Sequence, residues 1–256
     1  MTRIVSWFSC GAASAVATKL AIDAHKGPVT VVRCWIAEEH PDNDRFATDC
    51  EEWFGQKILT LKNEKYAGSV DEVIRMGKFI AGPKGAPCTL QLKKEVRRKF
   101  QHPTDVQVFG YTADEQGRYD SFVDANNDVL SWPILIEHGL THADCLALVE
   151  RAGIVLPTRS KLGYKHNNCM GCVKGGAGYW NKVRIDFPER FQKVAALERF
   201  VGHAIIRVQK TGTRTPMFLD ALPPTSGRYQ DEPEIQCGIN CELVDKRLTK
   251  HSPKGN

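Results

Sequence analysis

The sequence predicts a doubly wound α/β protein. A parallel sheet with helices on both faces is joined to a smaller helical and loop region carrying cysteines, and to a C-terminal tail. Three observations predict this. An apolar run at 3–8 passes straight into Ser9-Cys10-Gly11-Ala12-Ala13-Ser14 and then into an alanine-rich stretch. Apolar runs and helical patterns alternate through the first 125 residues, as in chains that build parallel sheets. Beyond that point the alternation stops, and a Cys-x-x-Cys pair, Cys169 and Cys172, sits in a glycine-rich loop. The division expected is an α/β core at 1–125, a packed region at 126–222 and a mobile tail at 223–256.

Taken in order, residues 3–8 form a buried strand and 12–25 its helix. Residues 29–36 are nearly all apolar and read as a central strand. His40-Pro41-Asp42-Asn43 breaks the chain, and Asp42 or Asn43 caps a helix through Trp53. A short strand at 57–61 and a helix at 70–78 precede the flexible run Ala81-Gly82-Pro83-Lys84-Gly85-Ala86-Pro87. Residues 89–100 form a basic helix with Cys88 at its entrance, and 106–109 a buried strand ending at Gly110-Tyr111-Thr112. Later helices fall at 141–152 and 188–201, and 204–208 pairs with 216–219 as a hairpin. From Pro223 the chain is rich in proline, glycine and charge.

With 256 residues, 42% hydrophobic and 25% charged, the chain has the composition of an ordinary soluble protein with a full core. Its net charge of +5 is compatible with a phosphate-rich ligand and too small to argue for nucleic acid alone. No apolar run approaches a membrane helix and the N-terminus is unlike a signal peptide, so a cytoplasmic protein is expected. In that compartment nine cysteines are ligands, redox thiols or small hydrophobes rather than disulfides. Cys10, Cys34, Cys50 and Cys145 read as structural; Cys88, Cys169, Cys172, Cys237 and Cys241 stand in turn-like or polar contexts.

A small-residue loop at a helix start lets backbone N–H groups approach an anion closely, and the helix adds positive potential there. Ser9, Gly11 and Ser14 therefore point to the phosphate end of a nucleotide, although an ordinary strand-to-helix turn has the same look. No Gly-Lys-Ser/Thr follows, so this is not the Walker loop. Cys169 and Cys172 have the spacing of half a zinc site, part of an iron–sulfur cluster or a redox dithiol, and Cys88 supplies a third thiolate for a cluster. No second Cys-x-x-Cys or His-x-x-x-His completes a zinc site. Cys237 and Cys241 place two thiols on a tail, where one can swing into a site, attack and be reduced. Lys93, Lys94, Arg97, Arg98 and Lys99 are either a solvated helix face or begin with a cation that reaches a bound phosphate or sulfate. Glu115 and Arg118 follow a strand end, where open α/β sheets bind ligands, and equally suit a surface pair.

In combination these segments resemble the sulfonucleotide reductase and adenine nucleotide α-hydrolase superfamily, especially the phosphoadenosine phosphosulfate reductase-like proteins of bacteriophages. Ser9-Cys10-Gly11-Ala12-Ala13-Ser14 is similar to its modified phosphate loop, Ser-x-Gly-x-x-Ser, and His40-Pro41-Asp42 to its loop near the ribose. Cys88 with Lys93, then Cys169 and Cys172, match the cysteines of the iron–sulfur reductases in order. Gln236-Cys237-Gly238-Ile239-Asn240 is similar to the Glu-Cys-Gly-Leu-His tail bearing the nucleophile. The departures are a single Cys88 where the reductases have tandem cysteines, Thr112 in place of an arginine, and Asn240 in place of histidine. ATP-hydrolysing relatives have Lys-Asp where this chain has Ala12-Ala13.

The resemblance implies an iron–sulfur sulfonucleotide reductase acting on phosphoadenosine phosphosulfate or adenosine phosphosulfate. Ser9, Gly11 and Ser14 cradle phosphate, Lys93 and Arg118 hold the sulfate end beside Glu115, and Cys237 attacks sulfur. Cys241, thioredoxin or glutaredoxin then releases sulfite. A [4Fe–4S] cluster on Cys88, Cys169 and Cys172 tunes local charge, with zinc as the lesser occupant. Two other functions share these residues: an ATP-dependent, cluster-dependent sulfurtransferase modifying a nucleic-acid base, and a non-catalytic redox sensor. Self-association is left open.

Overall fold

The computed structural model describes residues 2–82, 85–210, 213–233 and 235. Cys237 and Cys241 lie outside the described residues. The chain runs β1 (Ile4–Trp7), α1 (Ala12–Ala24), β2 (Val29–Cys34), α2 (Asp42–Phe54), β3 (Leu59–Leu61) and α3 (Val70–Gly77). It continues through α4 (Pro87–Thr89), α5 (Glu95–Phe100), β4 (Val106–Val108), α6 (Gln116–Ala125) and β5 (Leu130–Trp132). Then follow α7 (Ile134–Glu137), α8 (His142–Arg151), α9 (Thr158–Lys161), α10 (Ala177–Asp186) and α11 (Pro188–Val201). The hairpin β6 (Ile206–Lys210) and β7 (Thr213–Met217) comes last, antiparallel, with Ile206 opposite Met217.

Five parallel strands form one sheet in the order β3-β2-β1-β4-β5. Alternate residues of β1 explain why both faces are covered. Ile4, with Phe8 just past the strand end, enters one core with Val16, Phe46, Ile134 and Val149, the side of α1, α2 and α8. Val5 and Trp7 enter another with Val32, Val96, Phe109 and Phe122, the side of α5 and α6. A strand buried on both faces must be apolar throughout, and the strand's one polar residue, Ser6, is satisfied by the Thr18 hydroxyl at 2.8 Å. The doubly wound fold expected from the sequence is the fold observed.

The chain winds outward from β1 to β3, then crosses to the other side of β1 to add β4 and β5. That reversal opens a crevice at the carboxyl ends of β1 and β4, where open α/β sheets hold their ligands. The fifth strand was not anticipated: three residues beyond the expected alternation are too few to show a period. Strand β2 stops two residues short of the expected end at 36. Helix α2 has Pro41 at its N-cap with no side-chain cap, because Asp42 accepts hydrogen bonds from Arg45 and from the Thr158 N–H (2.7 Å) instead.

The basic helix differs from a solvated face. A π-helical turn at Leu90–Lys94 lies between α4 and α5 and offsets the helix faces on either side. Lys93, Lys94 and Arg97 are buried, and Arg98 and Lys99 are exposed.

The region after β5 builds a second body of core around Trp180, Tyr179, Phe191 and Val194 of α10 and α11, with Ile206 and Leu219. Its first tail residues are tied down. Glu232 accepts from the Gly176 and Gly178 N–H groups at 3.1 and 2.7 Å, satisfying donors at the start of α10, and Lys165 donates to the Glu232 carbonyl at 2.7 Å. Among the described residues no helix is long and apolar enough to cross a membrane.

Candidate nucleotide site

A cavity of about 450 Å³ opens at the switch point between β1 and β4. Ser9, Gly11, Ala12, Ala13 and Ser14 form one wall, Phe109 to Thr112 a second, and Lys93 and Glu39 also line it. Its size is that of pockets holding cofactors and small ligands.

The loop geometry follows from its sequence. Cys10 takes the left-handed conformation at φ 56°, which turns the chain out of β1 into α1. The Ser14 hydroxyl closes the turn: it accepts from the Ser9 N–H at 3.0 Å and the Ser9 hydroxyl at 3.2 Å, and donates to the Gly11 carbonyl at 2.9 Å. The serines thus organise the loop, and Gly11 and the first turn of α1, a helix of 13 residues, face the cavity. Opposite them, a Cβ on Gly110 would fall 2.7 Å from the Ser14 nitrogen. Only glycine lets β4 end this close to the helix start.

Below the loop lies a charged network that sequence reasoning missed. Glu39 is buried and within 3.8 Å of Lys93 and 3.9 Å of Arg33, and accepts from the Asn43 amide at 3.2 Å. Arg33 also pairs with Asp44 at 2.7 Å. The Asn167 amide donates to the Cys10 carbonyl at 2.6 Å and to Asn43 Oδ1 at 2.7 Å, joining the cysteine-bearing loop to the turn between β1 and α1. The available signal was position: Glu38-Glu39 directly follow β2 at the ligand-binding end of the sheet. Glu38 itself caps α3, accepting from Ser69 Oγ (2.6 Å) and Val70 N–H (2.7 Å). Cys34, at the end of β2, also lines the cavity, and burial pushes its thiol up to about 12, so it is no nucleophile at neutral pH.

Of the expected nucleotide ligands, Ser9, Gly11, Ser14, Lys93, Glu115 and Arg118 all line this one cavity. Glu115 and Arg118 are an ion pair there, Glu115 also accepts from the Thr112 N–H, and the Arg118 guanidinium stands 5.5 Å over the Tyr111 ring. The alternative of a simple surface pair is half right: they pair, on the cavity wall. His40 stands apart, its Nδ1 accepting from the Asp42 N–H at 3.1 Å.

Cys88, Cys169 and Cys172 are buried outside the cavity lining. The Cys169–Cys172 loop is firmly placed. Arg159 donates to the Cys169 carbonyl at 3.1 Å, the Tyr179 hydroxyl accepts from the Cys172 N–H at 2.8 Å, and the Met170 N–H reaches the Glu38 carbonyl at 2.8 Å. Thiolates suit iron–sulfur clusters and zinc. Cys88 and Cys169 border one apolar cluster, whereas Cys172 belongs to the next. Among the described residues no three His, Cys, Asp or Glu side chains are arranged to hold a metal ion. The described residues therefore do not by themselves fit a cluster.

Fold and site define a doubly wound α/β protein with a ligand pocket at the switch point, walled by a small-residue loop at a helix N-terminus. Comparison with family models, curated proteins and solved structures returns no match.

Proposed function

We propose that this chain binds an adenine nucleotide in the switch-point pocket and that the nucleotide is a sulfonucleotide, whose sulfo group the protein reduces to sulfite. The observation that carries the proposal is the convergence of Ser9, Gly11, Ser14 and the buried Lys93 on one cavity at the carboxyl end of β1. Backbone N–H groups at a helix start bind a phosphate, and a buried ammonium across the pocket suits a second anionic group.

The chemistry proposed is a transfer followed by a reduction. The Cys237 thiolate attacks the sulfur, the S–O bond to the nucleotide breaks, and the nucleoside phosphate leaves as Cys237 becomes S-sulfocysteine. A second thiolate, from Cys241 or from a thioredoxin- or glutaredoxin-type dithiol, attacks the Cys237 sulfur, forming a disulfide and releasing sulfite. The dithiol is the source of the two electrons. Support comes from Ile235, which lines the pocket two residues before Cys237; two residues of extended chain span about 7 Å.

Anaerobic titration calorimetry with adenosine phosphosulfate, phosphoadenosine phosphosulfate, ATP and AMP tests this, with sulfite release measured beside it. A sulfonucleotide is expected to bind at least tenfold tighter than AMP, and Cys237→Ser to bind it without releasing sulfite. Binding of ATP alone, with pyrophosphate release, would replace the reductase by the sulfurtransferase.

A further inference from the structure

Beside the main pocket lies a cavity of about 20 Å³, lined by Arg159, Lys165, His166, Asn168, Tyr179, Tyr229 and Glu232 together with Pro233 and Ile235. Lys165, His166, Asn168 and Ile235 line both spaces, so the small one is a recess of the large one.

Arg159 sets the character of the recess. It is 2% exposed, yet among the described residues no carboxylate lies within ion-pair reach of it, and its buried Nε has no hydrogen-bond partner. Its contacts are the Cys169 carbonyl at 3.1 Å, the Tyr179 hydroxyl and the Tyr164 ring, 4.1 Å from the guanidinium, none of them a carboxylate. An unpartnered Nε is shared by buried Arg33, but Arg33 and Arg190 both have carboxylate partners. Arg190 makes a bidentate pair with Asp71 at 2.6 and 2.8 Å, and Arg33 has Asp44 and Glu39. A buried charge is costly without a counter-charge, so a guanidinium held in this state marks a place where an anion belongs. Lys165 adds a second cation at the rim, and among the described residues its ammonium donates to the Glu232 carbonyl at 2.7 Å.

We propose that Arg159 and Lys165 form an oxyanion subsite, taking one oxygen of a sulfo or sulfite group whose body sits in the main pocket. The recess has room for one oxygen and not for a whole oxyanion, since a single water needs about 10–15 Å³. The planar guanidinium donates to that oxygen and the ammonium neutralises the group. This assignment rests on the nucleotide-binding proposal and moves the sulfo end away from Arg118, which is already paired with Glu115.

Titration of sodium sulfite into AMP-saturated protein tests the subsite, with chloride as control and a parallel titration of adenosine phosphosulfate. Sulfite is expected to bind beside AMP, and Arg159→Met and Lys165→Met each to weaken both sulfite and adenosine phosphosulfate at least tenfold, with AMP affinity within twofold in Arg159→Met, whose side chain lines only the recess. Arg159 also holds the Cys169 carbonyl, so Lys165→Met, which leaves that bond intact, decides the matter if Arg159→Met does not fold. Unchanged sulfite affinity in Lys165→Met, or no sulfite binding to AMP-loaded protein, overturns the subsite. If AMP itself fails to bind, the nucleotide proposal falls, and sulfite titrated into the ligand-free protein and Lys165→Met still tests the recess by the same tenfold criterion.

Discussion

Gly110 and Ser14 meet so closely that no side chain fits between them: a Cβ on Gly110 would lie 2.7 Å from the Ser14 nitrogen and 2.9 Å from the Ala13 carbonyl carbon. The end of β4 thus presses on the first turn of α1 through backbone alone. Gly110→Ala must push the two apart, at an overpacking cost of about 1–3 kcal/mol. The expected result is a lower urea midpoint and, on the proposed function, at least tenfold weaker nucleotide binding, because the displaced atoms line the cavity.

Ser14 carries three hydrogen bonds within the loop. Ser14→Ala removes these bonds, and because Ser9 is exposed water takes up its N–H, so the loss is about 0.5–1.5 kcal/mol. Urea unfolding of this variant is expected to show that loss without a change in m-value.

Acid stability should depend on Asp42. Its hydrogen bonds from Arg45, then from the Thr158 backbone and hydroxyl, hold its carboxyl well below the usual carboxylate range. A depressed folded value contributes stability above the unfolded value, about 3.9, that is lost as pH falls toward the folded one. The pair is partly exposed, so the contribution is about 1 kcal/mol or less. Asp42→Asn is expected to be less stable than wild type at pH 7, with the difference shrinking between about pH 4 and pH 2 in thermal melts.

Glu232 holds the C-terminal chain to the start of α10 through the Gly176 and Gly178 N–H groups. Glu232→Ala removes a cap worth about 1 kcal/mol. Hydrogen exchange at Gly176 and Gly178 is expected to accelerate about fivefold or more, with the amides of β1 unchanged; unaltered exchange at both glycines would show that the cap contributes nothing.

How far the sequence could be read depended on whether a signal was local. The run from β1 through the loop to α1 was legible because apolar strand, small-residue turn and alanine-rich helix are adjacent in the chain. The cavity lining at Ser9, Gly11, Ser14, Glu115 and Arg118 followed from where strand ends fall in this fold, and Lys93 from its place at the start of the basic helix. Strand β5 was missed because three residues carry no period. The burial of Lys93, Lys94 and Arg97 was missed because it depends on a π-helical turn and on partners elsewhere in the fold, which no helix-face pattern records. Glu39, Asn167 and Arg159 went unassigned for the same reason: their roles come from contacts across the fold.

The most direct test of the central claim is hydrogen exchange on the protein with and without adenosine phosphosulfate under anaerobic conditions. The account predicts protection at residues 9–15, the loop and first turn of α1, together with 110–112 at the end of β4. Protection confined to other segments, or none at saturating ligand, would contradict a nucleotide site at this switch point.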